Sequence, residues 1–373
     1  NNTAVGLQAL EDNTTGTQNV ALGALSLANN TTANYNVAVG RAALNNNTTG
    51  ATNTAIGHVA LQNNTTASQN VAVGYGSLNT NTTSGLNTAV GYEALYTNDG
   101  GITNTAVGFR AGYSNTTGSN LVALGRDAGF NNTTGIQNVA LGTNSFRAGT
   151  TGNYNVAVGE QALYSQTTAS NNVAVGYQSA YSNLTGAGLT AVGYQALQDN
   201  TGSYNIAVGM QALAENTTAN YNVAIGYQAL RDNTTGQYNV GLGYQALENN
   251  TTADQNTGLG YWSLYTNTTG AQNVAVGYAA MSLNTTGGPN TAVGRAALYA
   301  NTTGASNVAV GYNALSNATT ANANTAVGHQ ALEATTTSGS NVGIGNSALK
   351  ANTTGTVNVA LGSNALLTNT TGS

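Results

Sequence analysis

A short apolar segment closed by glycine returns at a fixed interval along the whole chain. With few variants it reads [TV]-A-[VIL]-G, and its glycine stands at Gly6, Gly23, Gly40, Gly57 and onward in steps of 17 residues to Gly193. One step of 16 leads to Gly209, and steps of 17 resume to Gly362, which makes 22 repeats. The short step falls where Asn200-Thr201-Gly202 has one Thr fewer than the usual Asn-Thr-Thr-Gly, so a loss inside a turn leaves the apolar register intact. The consensus is N-[TV]-A-V-G-Y-Q-A-L-x-x-N-T-T-G-x-x, and an Asn stands four before the glycine in all repeats except those with Leu121 and Leu189.

The alternation in N-V-A-V predicts a short strand, with its two Val on one face and its Ala on the other. The anchor glycine predicts a tight bend, Q-A-L-x a second short strand, and N-T-T-G a turn, since Asn bonds its own backbone and Gly accepts positive φ. Each repeat is therefore expected to hold two strands and two turns. The unit is too short for a helix pair, which takes about 33 residues, and its Gly, Asn and β-branched residues are poor helix formers. A disordered chain would have no reason to keep Val, Ala and Leu in one phase through 22 repeats. Seventeen residues bury no core alone, so the units must stack. The expected fold is all-β: a parallel β-solenoid (β-roll) of 22 coils of 17 residues, with residues 1–373 as one continuous array and no separate domain. The irregular turns at Asn98-Asp99-Gly100-Gly101 and Asn183-Leu184-Thr185-Gly186 are expected to bulge without breaking the stack.

Stacking changes the meaning of the composition. Equivalent side chains lie about 4.8 Å apart, so like charges in one column repel, whereas Asn, Thr and Tyr columns bond or stack. Only 5% of residues are charged, and net charge is −5. Many charges stand five or six after the anchor: Glu11, Asp12, Arg147, Asp199, Glu215, Arg231, Asp232, Glu248, Glu333 and Lys350. That position reads as a solvated edge. All 20 Tyr occupy three register positions, directly after the anchor, five after it, and just before the Asn. Both faces of N-V-A-V are apolar. One fills the coil, and the other calls for a partner, which packing about a threefold axis would supply as a homotrimer. No basic surface offers itself to nucleic acid, and no apolar run is long enough to insert in a membrane. Cysteine is absent, which removes disulfides and thiolate metal sites. The chain opens in mid-pattern at Asn1 with no signal peptide, as expected of a mature piece or a fragment. No polar cap closes the array at either end, which suggests further repeats or rods that join end to end into a filament.

The motif N-[TV]-A-V-G-x-x-A-L resembles the β-roll repeats of trimeric autotransporter adhesin heads of the YadA type, whose units are shorter. The 17-residue form with N-T-T-G is similar to arrays in phage tail fibres and bacterial surface adhesins. The resemblance runs from Asn2 to the end of the chain. It implies a left-handed, trimeric, extracellular fibre that spaces or presents an adhesive tip, and it brings no catalytic residue.

Candidate chemistry is sparse. His58 and His329 both directly follow an anchor glycine, the usual Tyr position, and read as planar replacements in a column. Carboxylates adjoin only at Glu11-Asp12, and no spacing suggests a calcium cage. Gly241-Leu242-Gly243 and Gly343-Ile344-Gly345 look like half a dinucleotide fingerprint, but lack its third glycine and following helix, and read as Ala-to-Gly variants of the strand. Ser77 and Ser263 have no His nearby to activate them. The N-T-T sites match the glycan acceptor pattern but read as turns facing solvent. No catalytic, cofactor-binding or metal-binding residue is assigned, no cofactor is expected, and the chain is not expected to be an enzyme. The expected function is a structural extracellular shaft. The alternatives are an adhesin that binds host or cell-surface glycans through Tyr and Asn on the shaft, and an ice-binding protein acting through Thr ladders; a T-T pair, however, shows one Thr per coil outward where a flat array favours T-x-T.

Overall fold

A computed structural model describes residues 1–373. Each repeat contributes one strand of three residues, 22 in all. The chain forms two compact units, Asn1–Gly188 and Leu189–Ser373. The first holds β1 (Thr3–Val5) to β11 (Val173–Val175), and the second β12 (Thr190–Val192) to β22 (Val359–Leu361). Within each unit consecutive strands pair in parallel, equivalent residue on equivalent residue: Val37 on Thr54 and Ala38 on Ala55 in the first, Val274 on Thr291 and Ala275 on Ala292 in the second. Both units are thus parallel β-solenoids. The short repeat lies inside the second unit. There Thr190 pairs with Ile206 and Ala191 with Ala207, and the turn takes up the missing residue, with Thr201 N donating to Thr217 O at 2.7 Å.

The two faces of the strand separate cleanly. The central Ala is 0% exposed at Ala38, Ala55, Ala72 and Ala89. A coil this narrow admits a methyl group there and little more. The Ala and Leu three and four after the anchor, such as Ala43 and Leu44, complete the interior at 0% exposed.

The expected second strand is absent. The segment after each anchor glycine is a turn, and the reason lies in its dihedral angles. The residues two and four after the anchor are left-handed, as at Ala42 (φ 56°) and Leu44 (φ 51°), and so is the residue before the Asn, as at Tyr35 (φ 61°). Adjacent Ala43 and Leu44 both face inward, which a pleated strand forbids. Each left-handed L-residue costs roughly 1–2 kcal/mol. Ladder bonds offset that cost: Ala42 N donates to Ala24 O at 2.9 Å, and Leu44 N to Ala60 O at 3.1 Å. Gly76 and Gly112 stand at these same left-handed positions, with φ of 62° and 61°. The anchor glycine is required for another reason. A Cβ on Gly142 (φ +126°) would stand 2.7 Å from the carbonyl of Gly159 in the next coil.

The irregular turns do not bulge. Asn98 Nδ2 reaches Gly101 O at 2.9 Å and Asn183 Nδ2 reaches Gly186 O at 2.9 Å, as in every regular repeat. Both segments keep the 17-residue count, so there is no surplus backbone to expel.

Candidate interaction surfaces

Two columns of asparagine lie inside the coils. Asn36 N donates to Asn19 Oδ1 at 3.0 Å, and Asn36 Nδ2 donates to Gly50 O at 2.9 Å. In the turn column, Asn47 Nδ2 donates to Asn30 Oδ1 at 3.0 Å and to the same Gly50 O at 2.9 Å. Both Asn are 0% exposed. This corrects the reading of N-T-T as a turn wholly in solvent: its Asn is interior, and the nitrogen a glycan would need is already bonded twice. Where Ala318 interrupts the turn column, Asn301 Oδ1 is left without a partner. The first Thr of the pair also ties coils together, as when Thr48 Oγ1 donates to Thr65 O at 3.0 Å. The second, such as Thr49 or Thr66, is exposed, and gives a single file of Thr.

The aromatic side chains form columns. After the anchor, the first unit lines up His58, Tyr75, Tyr92 and Phe109 with ring centres 5.4, 5.1 and 5.3 Å apart, the last three stacked. In the second unit Tyr227, Tyr244, Tyr261 and Tyr278 stack at 5.0, 4.9 and 5.4 Å. Arg295 then takes a ring's place, its guanidinium 5.6 Å from Tyr278 and 5.3 Å from Tyr312, and Tyr312 stacks on His329 at 5.2 Å. His329 therefore serves as a planar member of its column, whereas His58 ends its column tilted 59° from Tyr75, with Arg41 Nη1 3.0 Å from its Nε2. A ladder of Gln runs beside the second column, with Gln228 to Gln211 at 3.0 Å and Gln245 to Gln228 at 3.1 Å, and Trp262 Nε1 donates to Gln245 Oε1 at 2.8 Å. Inside a column each ring covers its neighbour's face, so sugars meet edges and hydroxyls there.

Burial raises the phenol pKa of Tyr92, reinforced by a hydrogen bond to Glu93 and by the charge of that residue. Burial likewise raises Tyr113 and Tyr244.

The charges do not all lie on a solvated edge. Glu11, Asp12, Asp199 and Glu215 are exposed, but Glu248 is only 2% exposed. Arg231 Nη1 pairs with Glu248 at 2.6 Å while its Nε holds Asp232 at 2.6 Å. Burial holds the Glu248 carboxyl above its ordinary value, and the Arg231 charge offsets only part of that rise. Arg147 is half-buried, with its guanidinium 5.3 Å from the Phe130 ring and 5.9 Å from Tyr164.

The remaining candidates are structural. Gly241 and Gly343 sit at strand centres opposite Ala224 and Ala326. Ser77 and Ser263 donate to Gly74 O and Gly260 O, each at 3.1 Å. No three His, Cys, Asp or Glu side chains come together as a metal site, the surface has no pocket, and no helix is long and apolar enough to cross a membrane.

The most extensive surface is the outward strand face. The first and third strand residues stay partly exposed, at 38% in Val20, 47% in Leu22, 40% in Ile56 and 37% in Val71, and in the second unit at 39% in Ile206 and 38% in Val274. They form an apolar stripe along each unit, missed in sequence only in so far as either face could have turned inward. Fold and surface together define a parallel β-solenoid repeat protein. No protein-family model and no curated protein matches the chain.

Proposed function

We propose that this chain is the structural shaft of an extracellular fibre or adhesin, left-handed in coil and assembled as a homotrimer through its outward strand faces. The observation that carries this reading is the apolar stripe that runs along each solenoid, beside surfaces otherwise taken up by polar ladders and by aromatic columns whose rings cover one another. The stripe repeats once per coil, and the partner that matches such a period along its length is another copy of the same stripe. The hand, the threefold arrangement and the extracellular setting come from the resemblance to adhesin and tail-fibre repeats. The shaft reading is also favoured over sugar stacking, because column rings cover one another, and over ice binding, because the exposed Thr stand in single file.

Light scattering after gel filtration tests the assembly. The wild-type chain is expected at three times its 37.3 kDa mass. Ile56→Lys combined with Val71→Lys should lower that mass while leaving the far-ultraviolet spectrum unchanged, since both side chains point away from the coil. A monomeric wild type, or a variant that assembles as before, contradicts the proposal.

A further inference from the structure

Residues 101–150 hold three of the chain's seven cations, Arg110, Arg126 and Arg147, with one carboxylate, Asp127. The stretch carries net +2 in a chain of net −5. The three Arg belong to successive coils, anchored at Gly108, Gly125 and Gly142. Side-chain geometry gathers them into one cluster. The Arg110 guanidinium lies 4.9 Å from the ring centres of both Phe109 and Phe130. Arg147 lies on Phe130 and Tyr164, so the column through Tyr96, Tyr113, Phe130, Arg147, Tyr164 and Tyr181 runs on with a guanidinium as one of its planar members. Buried Asp127 meets Arg110 Nε at 3.1 Å and Arg126 Nε at 3.6 Å. The Arg126 side chain is 68% exposed.

The chain's other cations have local partners. Arg231 is held by Asp232 and Glu248, Lys350 by Glu333, Arg295 by the Tyr312 hydroxyl and Arg41 by the His58 ring. In the cluster one carboxylate faces two Arg, and Arg147 lies between ring faces as Arg295 does, but without the hydroxyl that Arg295 meets. A guanidinium stacked on rings keeps its N–H edge free, and that edge matches two oxygens of a sulfate or carboxylate.

We propose that Arg126 and Arg147, backed by Arg110, form a binding site for an acidic polysaccharide that bears sulfate or carboxylate groups. The cations come one per coil at different register positions, two, one and five after Gly108, Gly125 and Gly142, and this staggered spread suits a flexible linear polyanion with spaced charges. Duplex DNA carries a charge every ~1.7 Å and takes many phosphate contacts to hold at physiological salt, more than three Arg provide.

The test measures binding of the full chain to dextran sulfate, to polygalacturonate, to neutral dextran and to duplex DNA, at low and at physiological salt. The expected result is binding to one or both acidic polysaccharides, weakening as salt rises, and none to dextran. Preference between the first two assigns sulfate or carboxylate as the group recognised. Arg126→Gln with Arg147→Gln should bind at least tenfold more weakly, while Arg41→Gln with Arg295→Gln stays within twofold of wild type. Should the Arg147 change lower the melting temperature, Arg126→Gln alone, at an exposed position, should still weaken binding severalfold. Absence of acidic-polysaccharide binding, equal binding by the Arg126 variants, or duplex DNA bound as tightly as the polysaccharides overturns the proposal.

Discussion

At Gly149 the repeat lacks its turn asparagine, and the ring of Phe146 occupies that place. A Cβ on Gly149 would stand only 2.6 Å from Phe146 Cε2, in hard clash with the ring edge. Phe146 itself stands where other coils have Leu, and it is 0% exposed. The two departures from consensus are one packing solution. The same logic explains Leu121, which breaks the Asn column four before its anchor. Its side chain packs where Gly112 leaves the Leu column empty, so that a Cβ on Gly112 would lie 3.2 Å from Leu121 Cδ2. A double-mutant cycle reads this coupling. Gly149→Asn should clash and Phe146→Leu should leave a void, each costing about 1–3 kcal/mol. Together they rebuild the consensus pair, and the double variant should recover most of the loss, a coupling of at least about 1 kcal/mol. Additive losses in thermal unfolding would contradict the shared-space account.

The strand was legible at the level of the element because its period of two has one physical meaning. Val and Ala alternate, and Ala38 lies inside while Val37 and Val39 are half-exposed. The Q-A-L segment was not legible, because left-handed dihedrals at Ala42 and Leu44 put neighbours on one side, and few non-glycine residues adopt them. Glycines at Gly76 and Gly112 were the available signal. Of the candidate surfaces, the aromatic columns were legible from the three registers of Tyr. The place of Arg147 in a column was not, since its charge suggested solvent where its planarity decided the site. These columns have a pH signature. Tyr92, Tyr113 and Tyr244 have phenols raised above the usual value of 10.0, chiefly by burial. The folded state therefore keeps these protons longer than the unfolded chain. Their contribution is complete below about pH 10 and is lost as pH climbs through the raised range. The tyrosinate signal of Tyr92, read as the ultraviolet difference between wild type and Tyr92→Phe, should appear at higher pH in the native chain than in urea, and Glu93→Gln should move it back towards its usual value. Coincident native and unfolded curves would contradict this.

Across the whole molecule, the bonds that tie one coil to the next join residues 14 to 20 positions apart, as from Thr31 Oγ1 to Thr48 O or from Asn36 Nδ2 to Gly50 O. Each coil therefore needs only its neighbours, and stability accumulates one repeat at a time. This is why a substitution such as Gln166 for the turn Asn is absorbed: its Nε2 still donates to Ala169 O at 2.8 Å, and the amide pattern resumes at Asn183. A period of 17 with one step of 16 is thus the central structural claim, and it fixes which residues lie side by side. The chain contains no cysteine to interfere with a direct test. Equivalent positions in adjacent coils lie about 4.8 Å apart, within reach of a disulfide. Thr49→Cys with Thr66→Cys, and Thr201→Cys with Thr217→Cys across the short turn, should each form an intramolecular bridge under mild oxidation, while Thr49→Cys with Gln69→Cys should stay reduced. Equal bridging in and out of register, or none in register, would contradict the stacked-coil structure.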